Sequence, residues 1–227
     1  MRHHLQNYPE ISVKPESLNG KIDFAALFGR NGAIHIEIGS GRGAFLLNQA
    51  LNYPQINFLG IEWASRYYRY AVDRMGRWNI AYVKIIRTEA ASFLEKNIAD
   101  GCVDCFHIYF PDPWPKVRHR RRRFFNEANL NRMVRCLKNG GIIQAATDYA
   151  DYFEQIQNLI EAMADLEVIP FQPATGTQQG ELVGSNFERK YLKDSRPVLT
   201  IAAKKTIKIL RTYKPYPSIL GLCQFLS

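Results

Sequence analysis

Residues 33–45 read AIHIEIGSGRGAF, an apolar run followed at once by three closely spaced glycines. The apolar run is rich in β-branched residues, a pattern typical of strands that are buried on both faces. Glycines allow the backbone to turn tightly and to approach a ligand before the next helix begins. The pattern therefore predicts a strand, a ligand-binding turn at Gly39, Gly41 and Gly43, and a following helix.

The same alternation continues along the chain. The predicted strands are 33–38, 57–61, 81–86, 103–110 and 141–147, and the predicted helices are 44–51, 64–77, 89–97 and 124–137. A helix near 150–164, an apolar run at 166–171, a polar loop at 172–190 and a last strand at 197–204 are expected to follow. Because strands that alternate with helices are joined by right-handed crossovers, we expect one α/β domain with a Rossmann-like, mostly parallel sheet and helices on both faces.

Domain boundaries follow from this pattern. We expect an N-terminal extension at 1–32, one folded domain at 33–204 and a C-terminal appendage at 205–227.

The chain has 227 residues, a net charge of +9 and a pI near 9.4, which favours a polyanionic partner such as nucleic acid. The basic N-terminus lacks the apolar stretch of a secretory signal, and no apolar segment is long enough to span a bilayer, so a cytoplasmic, non-membrane protein is expected.

Metal binding is not predicted from the cysteines and histidines. Cys102 and Cys105 have the spacing of a metal or redox pair, but no second pair completes a zinc site. His35 and His107 lie inside apolar strand runs, where histidines are more often hydrogen-bonded core residues. We therefore predict that these side chains are structural.

Acidic residues at successive strand ends indicate the kind of cofactor. Glu37 lies just before the glycine turn, where it can pair with the ammonium of a methionine moiety. Glu62 ends the second strand and can accept hydrogen bonds from both hydroxyls of an adenosine ribose, and Glu89 lies near the expected adenine region. A cationic, phosphate-free cofactor such as S-adenosylmethionine is favoured. A loose dinucleotide fingerprint at Gly39, Gly41 and Ala44 leaves a nicotinamide cofactor as the alternative.

A rigid loop with a basic continuation follows the fourth predicted strand. Residues 110–116 read FPDPWPK, in which two prolines flank Asp112 and restrict the residues before them to extended conformations. Such a loop can hold Asp112 beside the cofactor. The next seven residues, 117–123, contain five arginines, which we expect to contact the backbone of a nucleic acid because they directly follow Asp112. These arginines are Arg118, Arg120, Arg121, Arg122 and Arg123.

These motifs together resemble the tRNA (guanine-N7)-methyltransferase family. The similarity is carried by EIGSGRG at 37–43, GIE at 60–62, FPDPWPK at 110–116, TD at 147–148 and NFE at 186–188, in that order. The resemblance implies a seven-stranded methyltransferase fold with a C-terminal antiparallel strand. It also implies S-adenosylmethionine as cofactor and methylation of a guanine in the tRNA variable loop.

The resemblance also assigns roles to individual residues. Glu37, Glu62, Glu89 and Asp112 are placed in the cofactor site, and Asp112 is also the catalytic residue. The residues placed against the substrate are Lys116, Asp148, Ser185, Asn186, Phe187 and Glu188. Glu188 is expected to read the Watson–Crick edge of guanine, because a carboxylate can accept from two adjacent donors. Two residues depart from the family pattern: Glu89 replaces the more common Asp, and Ser185 replaces Thr.

Two alternatives to this enzyme remain open from sequence. One is an NAD(P)-dependent oxidoreductase, and the other is a non-catalytic RNA-binding subunit that keeps the fold. The sequence also leaves open whether the protein is a monomer or a homodimer, and which tRNAs it prefers.

Overall fold

An eight-stranded sheet forms the centre of the structure, a computed structural model that describes residues 4–177 and 181–206. The strands are β1 (Ser12–Val13), β2 (Ile34–Ile38), β3 (Asn57–Glu62), β4 (Val83–Arg87), β5 (Val103–Tyr109), β6 (Leu137–Thr147), β7 (Leu166–Ile169) and β8 (Leu199–Lys205). Their order is β1-β4-β3-β2-β5-β6-β8-β7, and β8 runs antiparallel to its neighbours β6 and β7. The predicted mostly parallel sheet with a C-terminal antiparallel strand is confirmed.

The helices cover both faces of this sheet. They are α1 (Phe24–Phe28), α2 (Ala44–Asn52), α3 (Ser65–Arg77), α4 (Ala90–Asn97), α5 (Glu127–Cys136), α6 (Ala150–Ala162) and α7 (Asn186–Lys193). Successive strand residues point to opposite faces. Leu59 accordingly belongs to the apolar cluster that includes residues of α4, α5 and α6, whereas Phe58 belongs to the cluster that includes residues of α2 and α3. None of the described helices combines the length and apolar composition that a bilayer span needs.

The number of strands differs from the prediction of seven. The additional strand is β1, in which Ser12 and Val13 lie opposite Ile85 and Ile86 of β4 in a parallel pair. Two residues are too few to produce a readable alternation of apolar and polar side chains. The predicted N-terminal extension therefore contributes a strand at the edge of the sheet.

The predicted polar loop at 172–190 is also shorter than expected, because α7 begins at Asn186. The Ser185 hydroxyl accepts a hydrogen bond from the backbone N–H of Glu188 at 3.0 Å. This is one half of a capping box, whose sequence signature is Ser or Thr followed three residues later by Glu. That signature was present in the sequence and could have located the helix. Of the predicted C-terminal appendage at 205–227, Lys205 ends β8, and residues 207–227 lie outside the described residues.

The order of strands places a crevice beside β2. From β2 the chain continues to β3 and β4 on one side and later to β5 and β6 on the other. In open α/β sheets, ligands bind at the carboxyl ends of the strands where the order reverses. The turn after β2 and the loop after β5 flank this position.

Candidate active site

The glycine turn after β2 has a conformation that other residues adopt with difficulty. Gly41 has a φ of 55° and donates its N–H to Oε2 of Glu62 at 2.8 Å. Gly43, with a φ of 68°, precedes α2, and a Cβ there would lie 3.0 Å from the Met75 side chain and 3.2 Å from that of Ala71. Both positions therefore require glycine, which brings the backbone close to the carboxyl ends of β2 and β3.

Two of the predicted acids, Glu37 and Glu62, meet at this turn. Glu62 is well satisfied, because its two oxygens accept from the backbone N–H groups of Ala64 at 2.7 Å and Gly41 at 2.8 Å. Glu37 is 5% exposed, and its Oε2 has no hydrogen-bond partner among the described residues. Burial, followed by the nearby Glu62, raises the pKa of the Glu37 carboxyl well above its usual value. The site thus contains a buried carboxyl oxygen that has no hydrogen-bond partner in the described part of the chain.

A cavity opens above Glu37. It is lined by the turn residues Gly39 and Gly41, by aromatic side chains and by residues of the segment that leads into α7. The rings of Phe45 and Tyr109 pack edge to face, with centroids 4.8 Å apart, and form an apolar wall. Sequence reasoning missed both aromatic residues, although each lies at the expected ligand end of its element.

The carboxyl groups at and beside this cavity are acceptors that fit a ligand with a positively charged group. A buried carboxylate is costly unless it is paired, and the unpartnered oxygen of Glu37 is available for that pairing. Each Glu62 oxygen accepts one backbone hydrogen bond and retains lone pairs for hydroxyl donors. A pyrophosphate would be repelled by both carboxyl groups.

Glu89, the third predicted cofactor acid, occupies a different setting. It is exposed and forms the N-cap of α4, where its oxygens accept from the N–H groups of Ala91 at 2.9 Å and Ser92 at 2.7 Å. Such a cap stabilises the helix by satisfying two of its unpaired donors. Its contact with an adenine ring stays a prediction.

The loop after β5 presents Asp112 at its tip. Phe110 and Trp114, on either side of it, have φ values of 51° and 42°, which are uncommon for residues other than glycine. The Phe110 N–H is bound to the carbonyl of Ala146 at 2.7 Å, which fixes the start of the loop. Asp112 itself is exposed, as is Lys116. Both follow β5 at the carboxyl edge of the sheet, and β5 is a neighbour of β2, which leads into the glycine turn.

The arginine run forms a 3-10 helix at Val117–Arg122 that is mostly exposed. Arg118 and Arg121 are exposed, and Arg122 stacks over the Trp114 ring at 4.9 Å. Arg120 pairs with Asp151 at 2.8 Å but remains 44% exposed at its side chain. These four guanidinium groups are therefore accessible to a polyanion.

Arg123 requires a correction, because its guanidinium is buried and cannot contact an RNA backbone. The residue is 2% exposed and donates to the Pro113 carbonyl at 2.8 Å and to Gln155 at 2.7 Å. It also pairs with Asp151 and lies 4.7 Å from the centre of the Tyr152 ring. Arg123 thus anchors the loop that carries Asp112 to α6.

The predicted substrate residues near α7 are arranged differently from the expectation. Glu188 is fully buried, and its carboxylate accepts from the N–H groups of Leu182, Val183 and Gly184 at 2.5, 2.9 and 2.7 Å. The carboxylate assigned to guanine reading is thus occupied by the protein backbone. Ser185 lines the cavity. The side chains of Asn186 and Phe187 lie outside the described part of the chain.

Asp148, at the carboxyl end of β6, pairs with Arg196 at 3.1 Å and is 11% exposed at its side chain. Its position at the same edge of the sheet as Asp112 agrees with the sequence expectation. Its contact with a substrate stays a prediction.

A chain of hydrogen-bonded side chains lies beneath the cavity. Nδ1 of His35 and Nε2 of His107 are 3.1 Å apart, and Nδ1 of His107 is 2.9 Å from the Tyr109 hydroxyl. Burial lowers the pKa of His35 to about 4 and also lowers that of His107, so both rings are neutral near pH 7. These histidines and Cys105 have ligand atoms within 4.8 Å of one another, close enough for a metal ion. Nδ1 of His35 and both ring nitrogens of His107 take part in these hydrogen bonds.

The sheet order, the glycine turn and the paired acids at the ends of β2 and β3 define a protein of the Rossmann-like methyltransferase class. Residues 31–201 match the family model described as "Putative methyltransferase". The chain belongs to the tRNA (guanine-N(7)-)-methyltransferase family.

Two relatives and one solved structure illustrate this similarity. The tRNA (guanine-N(7)-)-methyltransferase of Rhodopirellula baltica is 34% identical over 197 residues, which are 84% of this chain and 73% of that protein. The enzyme of the same name from Streptococcus thermophilus is 30% identical over 88% of this chain and 93% of its own length. The structure of a SAM-dependent O-methyltransferase from Thermotoga maritima has a TM-score of 0.50 at 16% identity, and the match covers 92% of this chain and 69% of that one. The last similarity concerns the fold alone.

Proposed function

We propose that this chain transfers the methyl group of S-adenosylmethionine to N7 of a guanine in the variable loop of tRNA. The observation that carries the proposal is the unpartnered Glu37 carboxyl beside Glu62, at the crevice of the sheet. This arrangement suits a cationic cofactor without phosphates. The names of the relatives indicate the substrate, which is a guanine of tRNA.

The residues around the cavity have separate tasks in cofactor binding. S-adenosylmethionine supplies an electrophilic methyl group on its sulfonium. Glu37 pairs with the ammonium of the methionine moiety, and Glu62 accepts hydrogen bonds from the ribose hydroxyls while it holds Gly41 in place. Phe45 and Tyr109 exclude water from the methionine end of the cavity.

The chemistry requires alignment more than proton transfer. Guanine N7 has an in-plane lone pair and attacks the methyl carbon without losing a proton, so the reaction needs no general base. Asp112, exposed at the tip of an anchored loop, orients the guanine and stabilises the positive charge that develops on the purine. Arg123 is a positioning residue that keeps this loop against α6.

The remaining groups hold the RNA. Lys116, Arg118, Arg120, Arg121 and Arg122 contact phosphates near the reacting base. Asp148 and Ser185 to Phe187 border the base. We propose that the enzyme acts in the cytoplasm, as a monomer or homodimer, and without a metal ion.

Mapping of N7-methylguanosine tests the function directly. A purified tRNA transcript is incubated with the chain and S-adenosylmethionine, and the modified nucleotide is located by borohydride reduction and aniline cleavage. We expect cleavage at one guanine of the variable loop. Cleavage at another position would refute the variable-loop assignment, and an absence of methylation would refute the proposed activity.

Substitution of Asp112 tests its catalytic role. We expect Asp112→Asn to slow single-turnover methyl transfer by at least ~100-fold, because a residue that orients reactants and stabilises charge acts in the transition state. The matched control is Glu16→Gln, which removes an exposed acid from the 3-10 turn after β1 and should keep the parent rate. A rate for Asp112→Asn within a few-fold of the parent would show that Asp112 has only a structural role in its loop.

A further inference from the structure

A second basic surface borders the cofactor cavity on the side opposite the arginine loop. It lies on α3 and the glycine turn, and we refer to it as the α3 basic face. Its members are Arg42, Arg66, Tyr67, Arg69, Tyr70 and Arg74. Arg66 and Arg69 are exposed, whereas Arg74 is half-buried.

Tyrosine rings hold two of these guanidinium groups in place. The Arg42 guanidinium lies 5.0 Å from the centre of the Tyr70 ring and 5.9 Å from that of Tyr67. The Arg66 guanidinium lies 5.9 Å from the same Tyr70 ring. Stacking on aromatic faces restricts an arginine side chain, so less rotamer entropy is lost when it binds a phosphate.

The charges of this face are not neutralised by acids. The nearby carboxyl groups of Asp73 and Glu181 are already paired with Arg77 at 3.0 Å and Arg189 at 2.6 Å. Among the described residues, no acid pairs with the arginines of the α3 basic face. Burial lowers the pKa of Arg74, and the nearby positive charges of Arg77, Arg42 and Arg189 lower it further.

The topology brings this face close to the expected site of reaction. β3 and β5 are the two neighbours of β2, so the start of α3 and the loop that carries Asp112 flank the glycine turn from opposite sides. Two strand spacings separate them, which is about 10 Å at the strand ends. Arg42 and Tyr67 also line the cofactor cavity. A polyanion whose base enters the cavity therefore passes over both basic surfaces.

We infer that the α3 basic face binds the phosphate backbone of the substrate RNA, on the side of the cofactor opposite the arginine loop. This inference rests on the proposed function for the identity of the RNA. It adds a second set of phosphate contacts, through Arg66, Arg69 and Arg74. The two surfaces hold the RNA backbone on both sides of the base that enters the cavity, which fixes the position of N7 over the methyl group.

The test uses Arg66→Gln/Arg69→Gln in the full chain, because both side chains are exposed and lie outside the cofactor cavity. Glutamine retains helix propensity. The control, Lys96→Gln/Arg132→Gln, removes the same number of positive charges from α4 and α5, away from the carboxyl edge of the sheet, and Arg132 differs from the α3 arginines in that it pairs with Glu95 at 2.9 Å. Binding of a tRNA transcript is measured over a range of salt concentrations, and S-adenosylmethionine binding is measured by calorimetry.

The expected result is weaker tRNA binding by the α3 variant, with the log–log salt slope reduced by roughly 0.7–0.9 for each phosphate that the variant no longer neutralises. The control should keep the parent slope, and both variants should bind S-adenosylmethionine like the parent. Arg74→Gln should reduce the slope further. An unchanged slope for the α3 variant, or an equal reduction in the control, would overturn the inference.

Two further measurements distinguish an RNA-binding surface from a membrane-binding one and from the proposed activity itself. Weaker binding of the α3 variant to phosphatidylserine vesicles, with unchanged tRNA binding, would overturn the inference in favour of a membrane surface. Methylation of saturating tRNA by the parent tests the proposed function independently. A parent that binds tRNA through α3 but does not methylate it would refute the proposed function and leave the RNA surface in place.

Discussion

Glu37 and Glu188 are both buried carboxyl groups beside the same aromatic side chain, yet their surroundings differ. Both lie near Tyr109, whose pKa is raised first by burial and then by electrostatic interactions with acidic groups that include these two residues. Glu188 accepts three backbone hydrogen bonds, whereas Oε2 of Glu37 has no partner among the described residues. Burial of an acid therefore does not by itself identify a binding group.

The difference separates a structural carboxylate from one that is available to a ligand. The three N–H groups around Glu188 compensate its desolvation and hold residues 182–184 in a tight loop before α7. Glu37 lacks this compensation, so its ionised form is unfavourable until a cation arrives. A buried polar group that has no partner in the empty protein gains a hydrogen bond when the ligand binds. It therefore contributes more to ligand binding than a group, such as Glu188, that the protein has already paired.

The largest expected effect comes from Glu37→Gln. We expect S-adenosylmethionine to bind at least ~100-fold more weakly, because the variant removes one partner of a buried ion pair. The same change should stabilise the cofactor-free protein near neutral pH, because a carboxyl that burial disfavours is replaced by a neutral amide. Calorimetry gives the affinity, and urea unfolding gives the stability. Unchanged affinity would mean that the ammonium of the methionine moiety does not pair with Glu37.

The pH dependence provides a control for this comparison. The pKa of Glu37 is raised in the folded protein, so its stabilising contribution is present at low pH and is lost as the pH rises through the folded-state pKa. Cofactor binding requires the ionised form, so it should release a proton and weaken as the pH falls below that pKa. Titrations in two buffers of different ionisation enthalpy measure the release. Glu37→Gln should remove it.

Glu188→Gln should affect mainly the stability of the protein, whereas Glu37→Gln should affect mainly cofactor affinity. An amide that replaces the carboxylate directs N–H donors toward backbone donors, so we expect the free energy of unfolding to fall by about 1–3 kcal/mol. Methyl transfer should fall with it, because Ser185 lies in the same loop, while cofactor affinity changes less than in Glu37→Gln. Glu154→Gln, at an exposed glutamate of α6, is the matched control and should keep the parent stability. An unaltered stability of Glu188→Gln would return this residue to the substrate site.

The sequence predicted the sheet and the pocket better than it predicted individual polar contacts. Strand alternation, the glycine turn and the meeting of Glu37 and Glu62 follow from periodicity and from the rule that parallel strands end at one edge. The order β4-β3-β2-β5-β6-β8-β7 comes from the structure, because alternation of strands and helices alone does not specify which strands are neighbours. Local pattern and topology together therefore determine the architecture.

The errors arose where neighbouring residues look alike in sequence. Arg123 ends a run of arginines, and only its contacts with Pro113, Asp151 and Gln155 distinguish it from its exposed neighbours. Glu188 resembles any surface acid of a helix until residues 182–184 fold back onto it. Such roles depend on tertiary contacts between distant segments, which the local pattern does not contain.

The smallest expected effect concerns Glu89, an acid that is exposed and already bound to two backbone donors. Glu89→Ala should lower the free energy of unfolding by ~1 kcal/mol through removal of the α4 cap, and Glu89→Asn should restore it, because asparagine is a favourable N-cap residue. If the predicted contact with the adenine region also exists, both variants should bind S-adenosylmethionine about two- to fivefold more weakly, the effect of one exposed hydrogen bond. Affinity equal to that of the parent in both variants would leave Glu89 as a cap alone, like Glu188 a carboxylate whose partners are all within the protein.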